Sequence, residues 1–443
     1  MKCERFAEII EQGKRRWPKR PAVIYTEPGG EQKKISYSRL EELVFSRCEA
    51  LKQDPSVCVG MYGTSSLSWI VDFFAAAMAS KRVVLLDSSQ SDEVTQALIE
   101  EYAVEKILPE NPGLQPSEKR EPGYEGYVLV FTSGTTAANK AVVLSQRALS
   151  YSAWNGQAML PCREEDVIVG MLPMNHVFGL VCTLLWPLSN GACAAIGRGM
   201  RYYGEDAEAY GATILVCVPT LLNYLCAVKG IAGSVHTVLV GAAPCSEQLL
   251  NEVRAMGRRI SFGYGLSETA SGLAISVGSD DPFAMDFCPD TRITISEEGE
   301  VLVQTPCMME GYWKRPEETA QVLSDGMLHT GDLGYLDEEG RLHLTGRKND
   351  VLVLASGVKI CTPEWEARLS KTLGPEIALG VSEGKLTLFA GDNADRELVL
   401  KTVDEFNETQ PIPNRIGKVI ITGRKLPRTA TGKIRRWKLE EYK

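Results

Sequence analysis

At 443 residues the chain exceeds what a single hydrophobic core organises, so two or more domains are expected. Hydrophobic residues make up 44%, enough for a well-buried globular protein. A net charge of −9 with no long Lys/Arg block argues against a nucleic-acid-binding face, though a local basic site can still take an anionic ligand.

The longest apolar runs, 69–79 and 177–188, are too short for a membrane span and are broken by polar residues. The N-terminal MKCERFAEII lacks a signal-peptide core. The 12 cysteines include no CxxC pair, so free thiols in a reducing cytoplasm are expected. With 4 histidines, none at ligand spacing from a cysteine, no structural zinc is expected.

In chain order, Phe6, Ile9 and Ile10 mark a helix, and Pro18 and Pro21 bracket a turn before a strand at 22–25. A strand at 35–37 leads into a helix over 38–51, with Ser38 as its N-cap and Glu41 completing a capping box. Strand 57–62, helix 68–79 and strand 83–87 alternate as in a parallel α/β layer. Residues 109–123, rich in proline, read as a surface linker. The apolar run Val128–Phe131 then reads as a buried strand. It empties into Thr132-Ser133-Gly134-Thr135-Thr136 and Lys140, hydroxyl, backbone and ammonium donors of the kind that wrap a polyphosphate. The Walker pattern GxxxxGK[ST] is absent.

A second α/β series has strands at 167–172, 191–196, 213–218, 237–240 and 259–264, and a helix over 246–256 capped by Ser246. Ligands of doubly wound sheets sit at the carboxyl ends of strands, where Pro173–Gly179, Gly241-Ala242-Ala243 and Phe262–Glu268 fall. Short strands at 292–295, 300–304 and 341–344 predict a small antiparallel sheet or barrel at about 290–345. The remaining residues read as strand, helix, two strands, helix, strand and basic tail.

Taken together, TSGTT with Lys140, Pro173–Gly179 (PMNHVFG), Phe262–Glu268 (FGYGLSE), Gly326–Asp332 (GMLHTGD), Gly346-Arg347, Ser356–Glu364 (SGVKICTPE) and Leu426–Arg435 (LPRTATGKIR) resemble, in order, the motifs of the adenylate-forming superfamily of acyl-CoA synthetases, carrier-loading adenylation domains and luciferases. Ala137, Asn139, Ala141 and Phe262 stand where that family usually has Gly, Pro, Gly and Gln.

The resemblance implies an α/β fold: a large N-terminal domain (1–348) of doubly wound sheets plus a small β-barrel, and a smaller α+β C-terminal domain (349–443) pivoting at Asn349. It implies ATP, Mg²⁺ and CoA as ligands, with Thr132, Ser133, Gly134, Thr135, Thr136 and Lys140 on the phosphates. Gly241, Ala242, Ala243, Phe262, Gly263, Tyr264 and Gly265 would border the adenosine, with Tyr264 stacked on adenine. Ser267 would bond the α-phosphate, Glu268 would hold Mg²⁺, and Asp332 and Arg347 would take the ribose and phosphate. His176 would border the acyl and thiol channels, Gly357 and Lys359 would line the CoA tunnel, and Lys433 would be the catalytic cation.

Amino-acid-activating relatives carry an Asp where this chain has His176, and Val177, Phe178 and Leu180 surround it, which favours a fatty or aromatic acid. Three readings stay open: an acid–CoA ligase, an adenylating enzyme loading a carrier-protein thiol in trans, and a non-catalytic nucleotide or acyl binder.

Overall fold

A computed structural model of the chain describes residues 2–132, 140–170, 172–243, 245–348, 351–353, 359–428 and 434–442. Among these, the largest sheet has nine strands, in the order 286–287, 271–275, 259–266, 237–241, 214–217, 167–170, 193–196, 21–26 and 32–36. Its middle is parallel and its two margins antiparallel. The parallel strands are nearly continuous Val, Ile, Leu and Ala runs, because helices cover both faces and leave no polar side.

A second sheet of six strands runs 311–312, 141–144, 128–131, 82–85, 58–61, 106–108. The expected small β unit is an antiparallel five-stranded sheet built on 292–295, 300–304, 323–324, 327–336 and 342–347. Residues 377–382, 385–390 and 418–421 form a three-stranded sheet. Helices Thr362–Leu373 and Arg396–Glu408 pack on it around Trp365, Leu379, Leu388 and Phe406.

Several local expectations are corrected. The helix expected from Ser38 begins at Tyr37, and Ser36 is its cap: the Ser36 hydroxyl accepts from Arg39 N, at an extended φ of −73°. A helix at Asp92–Glu101, capped by Ser91, and a ten-residue strand at Met327–Leu336 were not expected. The proline-rich 109–123 segment has no helix or strand and is mostly exposed, as expected of a surface linker, yet it is tied to the sheet. The guanidinium of Arg82, 1% exposed, donates to the carbonyls of Glu121 and Gly123 and stacks 4.2 Å over Trp313, and Leu114 is buried. Past Gly179, residues 180–185 form a π-helical turn. Pro187 has no N–H to give the carbonyl four residues back, and the Thr183 hydroxyl donates to the Gly179 carbonyl.

Candidate functional site

Strand 259–266 carries the site's densest run of small residues. Gly263 lies in register with Gly241 on the neighbouring parallel strand, and a Cβ on Gly241 would sit 2.8 Å from the Gly263 carbonyl oxygen. At Gly265 the approach is closer still: a Cβ there would lie 1.4 Å from the Ser271 carbonyl oxygen. Only glycine lets these backbones meet. Ala242, just beyond, holds φ +65°, and after Glu268 the chain turns through Ala270 (φ +48°) and Ser271 (φ +98°). Left-handed backbone at non-glycine residues costs roughly 1–2 kcal/mol each, and both of these turns carry it.

Between them, Tyr264 points its hydroxyl at Asp332 and donates to Oδ2 at 2.7 Å. Asp332 faces Arg347 across the antiparallel pair 327–336/342–347, and the Arg347 Nε meets Asp332 Oδ1 at 2.7 Å. Asp332 is 4% exposed and Tyr264 8%. Burial, together with the adjacent Asp332 carboxylate, pushes the Tyr264 phenol well above its ordinary value, so it stays a donor.

A second constellation forms around Glu268, in the short helical turn Ser267–Thr269. Tyr312 donates to Glu268 Oε1 at 2.7 Å, and Met309 N donates to the Glu268 carbonyl at 2.8 Å. Tyr312 pairs with Val142 on the strand that leaves the phosphate-type loop, so Glu268 of the large sheet is tied to the second sheet. The Lys140 ammonium lies 4.8 Å from the Tyr312 ring centroid and 2.6 Å from Glu318 Oε2. Its bonds with Lys140 and Arg315 hold the Glu318 carboxyl below its usual range. The described ends of the loop are joined by Thr132 N donating to the Lys140 carbonyl at 3.0 Å.

His176 caps the turn Val177–Gly179 through its backbone. Burial lowers its imidazole below the ordinary value of 6.5, with the Asp87 carboxylate pulling the other way, so the neutral form is favoured. This turn reaches the glycine pair: Phe178 Cζ lies 3.4 Å from where a Gly241 Cβ would be. Phe262 packs edge-on against Phe283 at 5.6 Å, in the core beside the site. The backbone of Lys359 lies in strand Lys359–Cys361. Ser133, Gly134, Thr135, Thr136, Asn349, Gly357 and Lys433 lie outside the described residues.

The structure therefore brings Gly241, Gly263, Tyr264, Asp332 and Arg347 together, and links Glu268 to Lys140. Tyr312 and Glu318 were missed from the sequence. No local sequence pattern marks them; in the structure Gly311, just before Tyr312, holds φ +151° with Thr319 2.8 Å from where a Cβ would lie. Among the described residues no group of three or more His, Cys, Asp or Glu could hold a metal by itself. A partly buried carboxylate such as Glu268 nevertheless suits Mg²⁺, which is ordinarily held by one or two carboxylates plus substrate phosphates and water. No helix among the described residues is long and apolar enough to cross a membrane.

Residues 103–313 match the family model "AMP-binding enzyme". A long-chain-fatty-acid–CoA ligase of Bacillus subtilis is 29% identical over 73% of this chain, which spans 63% of that protein's length. A 2-succinylbenzoate–CoA ligase of Bacillus cytotoxicus is 27% identical over 93% of this chain and 94% of its own. Among solved structures, the o-succinylbenzoate CoA synthetase of Bacillus subtilis in complex with the acyl-adenylate intermediate OSB-AMP superposes with a TM-score of 0.84. It covers 98% of both chains at 21% identity, a likeness of fold.

Proposed function

From the match of residues 103–313 to the AMP-binding enzyme family model, we propose that the chain is an ATP-dependent acid–thiol ligase that makes an acyl-adenylate and passes the acyl group to CoA. The observation that carries this is the convergence of Tyr264 and Arg347, from separate strands, on the buried Asp332 carboxylate beside the side-chain-free backbone of Gly241 and Gly263. A ribose presents two vicinal hydroxyls, and an ionised carboxylate is the acceptor that takes both. Gly241 and Gly263, in register on neighbouring strands beside Tyr264, carry no side chains, so a flat ring can lie against bare backbone there.

A carboxylate is a poor acyl donor because oxide would have to leave. In the proposed first step a carboxylate oxygen bonds to the α-phosphorus of ATP and the bond to pyrophosphate breaks. In the second, the CoA sulfur bonds to the acyl carbon and AMP leaves with the former carboxylate oxygen. The protein's share is positioning and charge compensation. Lys140 would meet the phosphates at the loop exit and Ser267 would donate to the α-phosphate. Lys433 would supply the cation that meets charge developing on phosphorus. Glu268 would hold Mg²⁺, which when bound neutralises phosphate charge. Neutral His176, beside Phe178, suits an uncharged acyl entrance rather than an ammonium-bearing substrate.

The test is acid-dependent exchange of labelled pyrophosphate into ATP over a panel of carboxylic acids, followed by AMP release with CoA. Lys433→Ala should cripple exchange while largely sparing thioester formation from a preformed adenylate. ATP binding without exchange for any acid would leave the chain a nucleotide binder. Transfer to a carrier-protein thiol but not to CoA would change the acceptor.

A further inference from the structure

Against strands 237–241 and 271–275 lies a small, mostly enclosed apolar cavity of about 30 Å³. Its walls are in register with the site. Leu239 is two residues before Gly241 on the same strand, and Gly272 and Ile275 are the partners of Gly265 and Gly263 across the antiparallel pair. Cys182 of the π-helical turn and Cys288 close the sides. No charged side chain lines it. Its one hydroxyl oxygen, on Ser152, accepts from Gly272 N at 3.3 Å, so the cavity offers no counter-ion for a second carboxylate or an ammonium.

The far wall is Trp186, 1% exposed. Its indole lies against Gly156 of helix Gln146–Met159, where a Cβ would meet the ring at 3.5 Å. Its Nε1 donates to Gln157 Oε1 at 3.0 Å. Gln157 is in turn clamped: Cys162 N donates to its Oε1 at 3.1 Å, and its Nε2 donates to the Cys162 carbonyl at 2.9 Å. On the other side of Gln157 lies an open polar surface cleft of about 360 Å³, lined also by Arg16, Arg163 and Asn190. One indole, held by a fixed amide, thus separates an internal apolar cavity from solvent-filled space.

We infer that Trp186 is the residue that sets acyl length, and that the substrate class is a short, uncharged aliphatic acid. The inference rests on the proposed ligase function. A cavity of this size holds about two water-sized groups, whereas a benzene-sized guest needs on the order of 150 Å³. The last carbons of a short chain fill it, and an aromatic ring or a long chain meets the indole. The wall is rigid because displacing Trp186 breaks the Gln157 bond and opens the cavity to the polar cleft.

The experiment measures affinities of non-hydrolysable acyl-sulfamoyl adenosines, acetyl to decanoyl plus benzoyl, for the full chain and for Trp186→Ala, Trp186→Phe and Gly156→Ala. The wild type should bind propionyl and butyryl analogues best, with at least a tenfold loss by octanoyl and for benzoyl. Trp186→Ala should recover those losses by tenfold or more. Trp186→Phe, the milder change if the alanine variant does not fold, should move the optimum by a few carbons. Gly156→Ala adds a methyl at an ordinary contact distance and should move the optimum toward acetyl. A wild-type optimum at benzoyl or octanoyl, or a length profile that neither Trp186→Phe nor Gly156→Ala moves, overturns this inference alone. Failure of every analogue to bind overturns the proposed function and this inference with it.

Discussion

Replacing Tyr264 by Phe keeps the ring and deletes only the hydroxyl on Asp332. In the structure that hydroxyl lies 2.7 Å from Oδ2 of a carboxylate only 4% exposed, while Arg347 holds Oδ1. A hydrogen bond to a charged group contributes about 1.5–3 kcal/mol, and a buried acceptor left without its donor loses most of that. Tyr264→Phe should therefore destabilise the nucleotide-free protein by about 2 kcal/mol. If ribose hydroxyls replace the phenol on Asp332, saturating AMP should erase at least half of the loss. The variant should then bind AMP more tightly, by at most roughly thirtyfold, the equivalent of 2 kcal/mol. Denaturation with and without AMP, together with calorimetric titration of AMP, measures both arms. An equal loss with and without AMP would refute the exchange, since the phenol would then stay on Asp332 in the complex. Weaker AMP binding by the variant would refute it more directly.

Glu318→Gln removes the partially exposed carboxylate paired with Lys140. Exposed pairs contribute about 0.2–1 kcal/mol, so the apparent KM for ATP should fall by roughly 1.5- to fivefold at low salt, with the gain shrinking as salt is added. Gly265→Ala forces a methyl into a backbone carbonyl 1.4 Å away, and the fold should lose about 3 kcal/mol or more, read as a large drop in Tm. His176 carries a sign that can be worked out. Its folded value lies below the ordinary 6.5, so near and below that pH the unfolded chain binds the proton first. Its contribution to stability is whole above pH 6.5 and declines as pH falls below it. Unfolding free energies between pH 7.5 and 5.5 should slope downward toward acid, and His176→Gln should reduce that slope.

Much of this was readable in the sequence, for physical reasons. Buried parallel strands announce themselves as short apolar runs, so Thr237–Gly241 and Ile214–Cys217 lay close to their expected bounds. Ser246 precedes a strongly amphipathic helix and caps it as expected. The helix Asp92–Glu101 is only weakly marked: Val94, Ala97 and Leu98 keep helical spacing, but in the structure it buries only Thr95 and Ile99. Ser36 and Ser38 both offer a capping hydroxyl, and only the backbone, extended at Ser36, decides between them. Strand Met327–Leu336 mixes buried and exposed positions without strict alternation, and its TGD reads as a loop in one dimension. The partners of Glu268 and Lys140 were illegible for a different reason. Tyr312 reaches them through a two-residue strand, and no local pattern marks so brief a pairing.

Those partners explain how such a site persists without ligand. Asp332, Glu268 and Lys140 are each proposed to meet a charged or hydroxylated part of ATP or its metal, yet none waits unpaired. Tyr264 and Arg347 hold the first, Tyr312 the second and Glu318 the third. An uncompensated buried charge costs several kcal/mol, a penalty that falls fully on Asp332 and only in part on the half-buried Glu268 and Lys140. Internal partners remove that penalty and also fix the side chains in the geometry the ligand needs. Nucleotide affinity is then a difference: contacts to ATP minus the contacts they replace. The partners differ in how readily they yield. Glu318 is about one-third exposed and can turn to solvent, whereas Tyr264 is buried in a strand and can only be joined or displaced in place. Loss of Glu318 should therefore change ATP affinity with little effect on stability, and loss of the Tyr264 hydroxyl should change both.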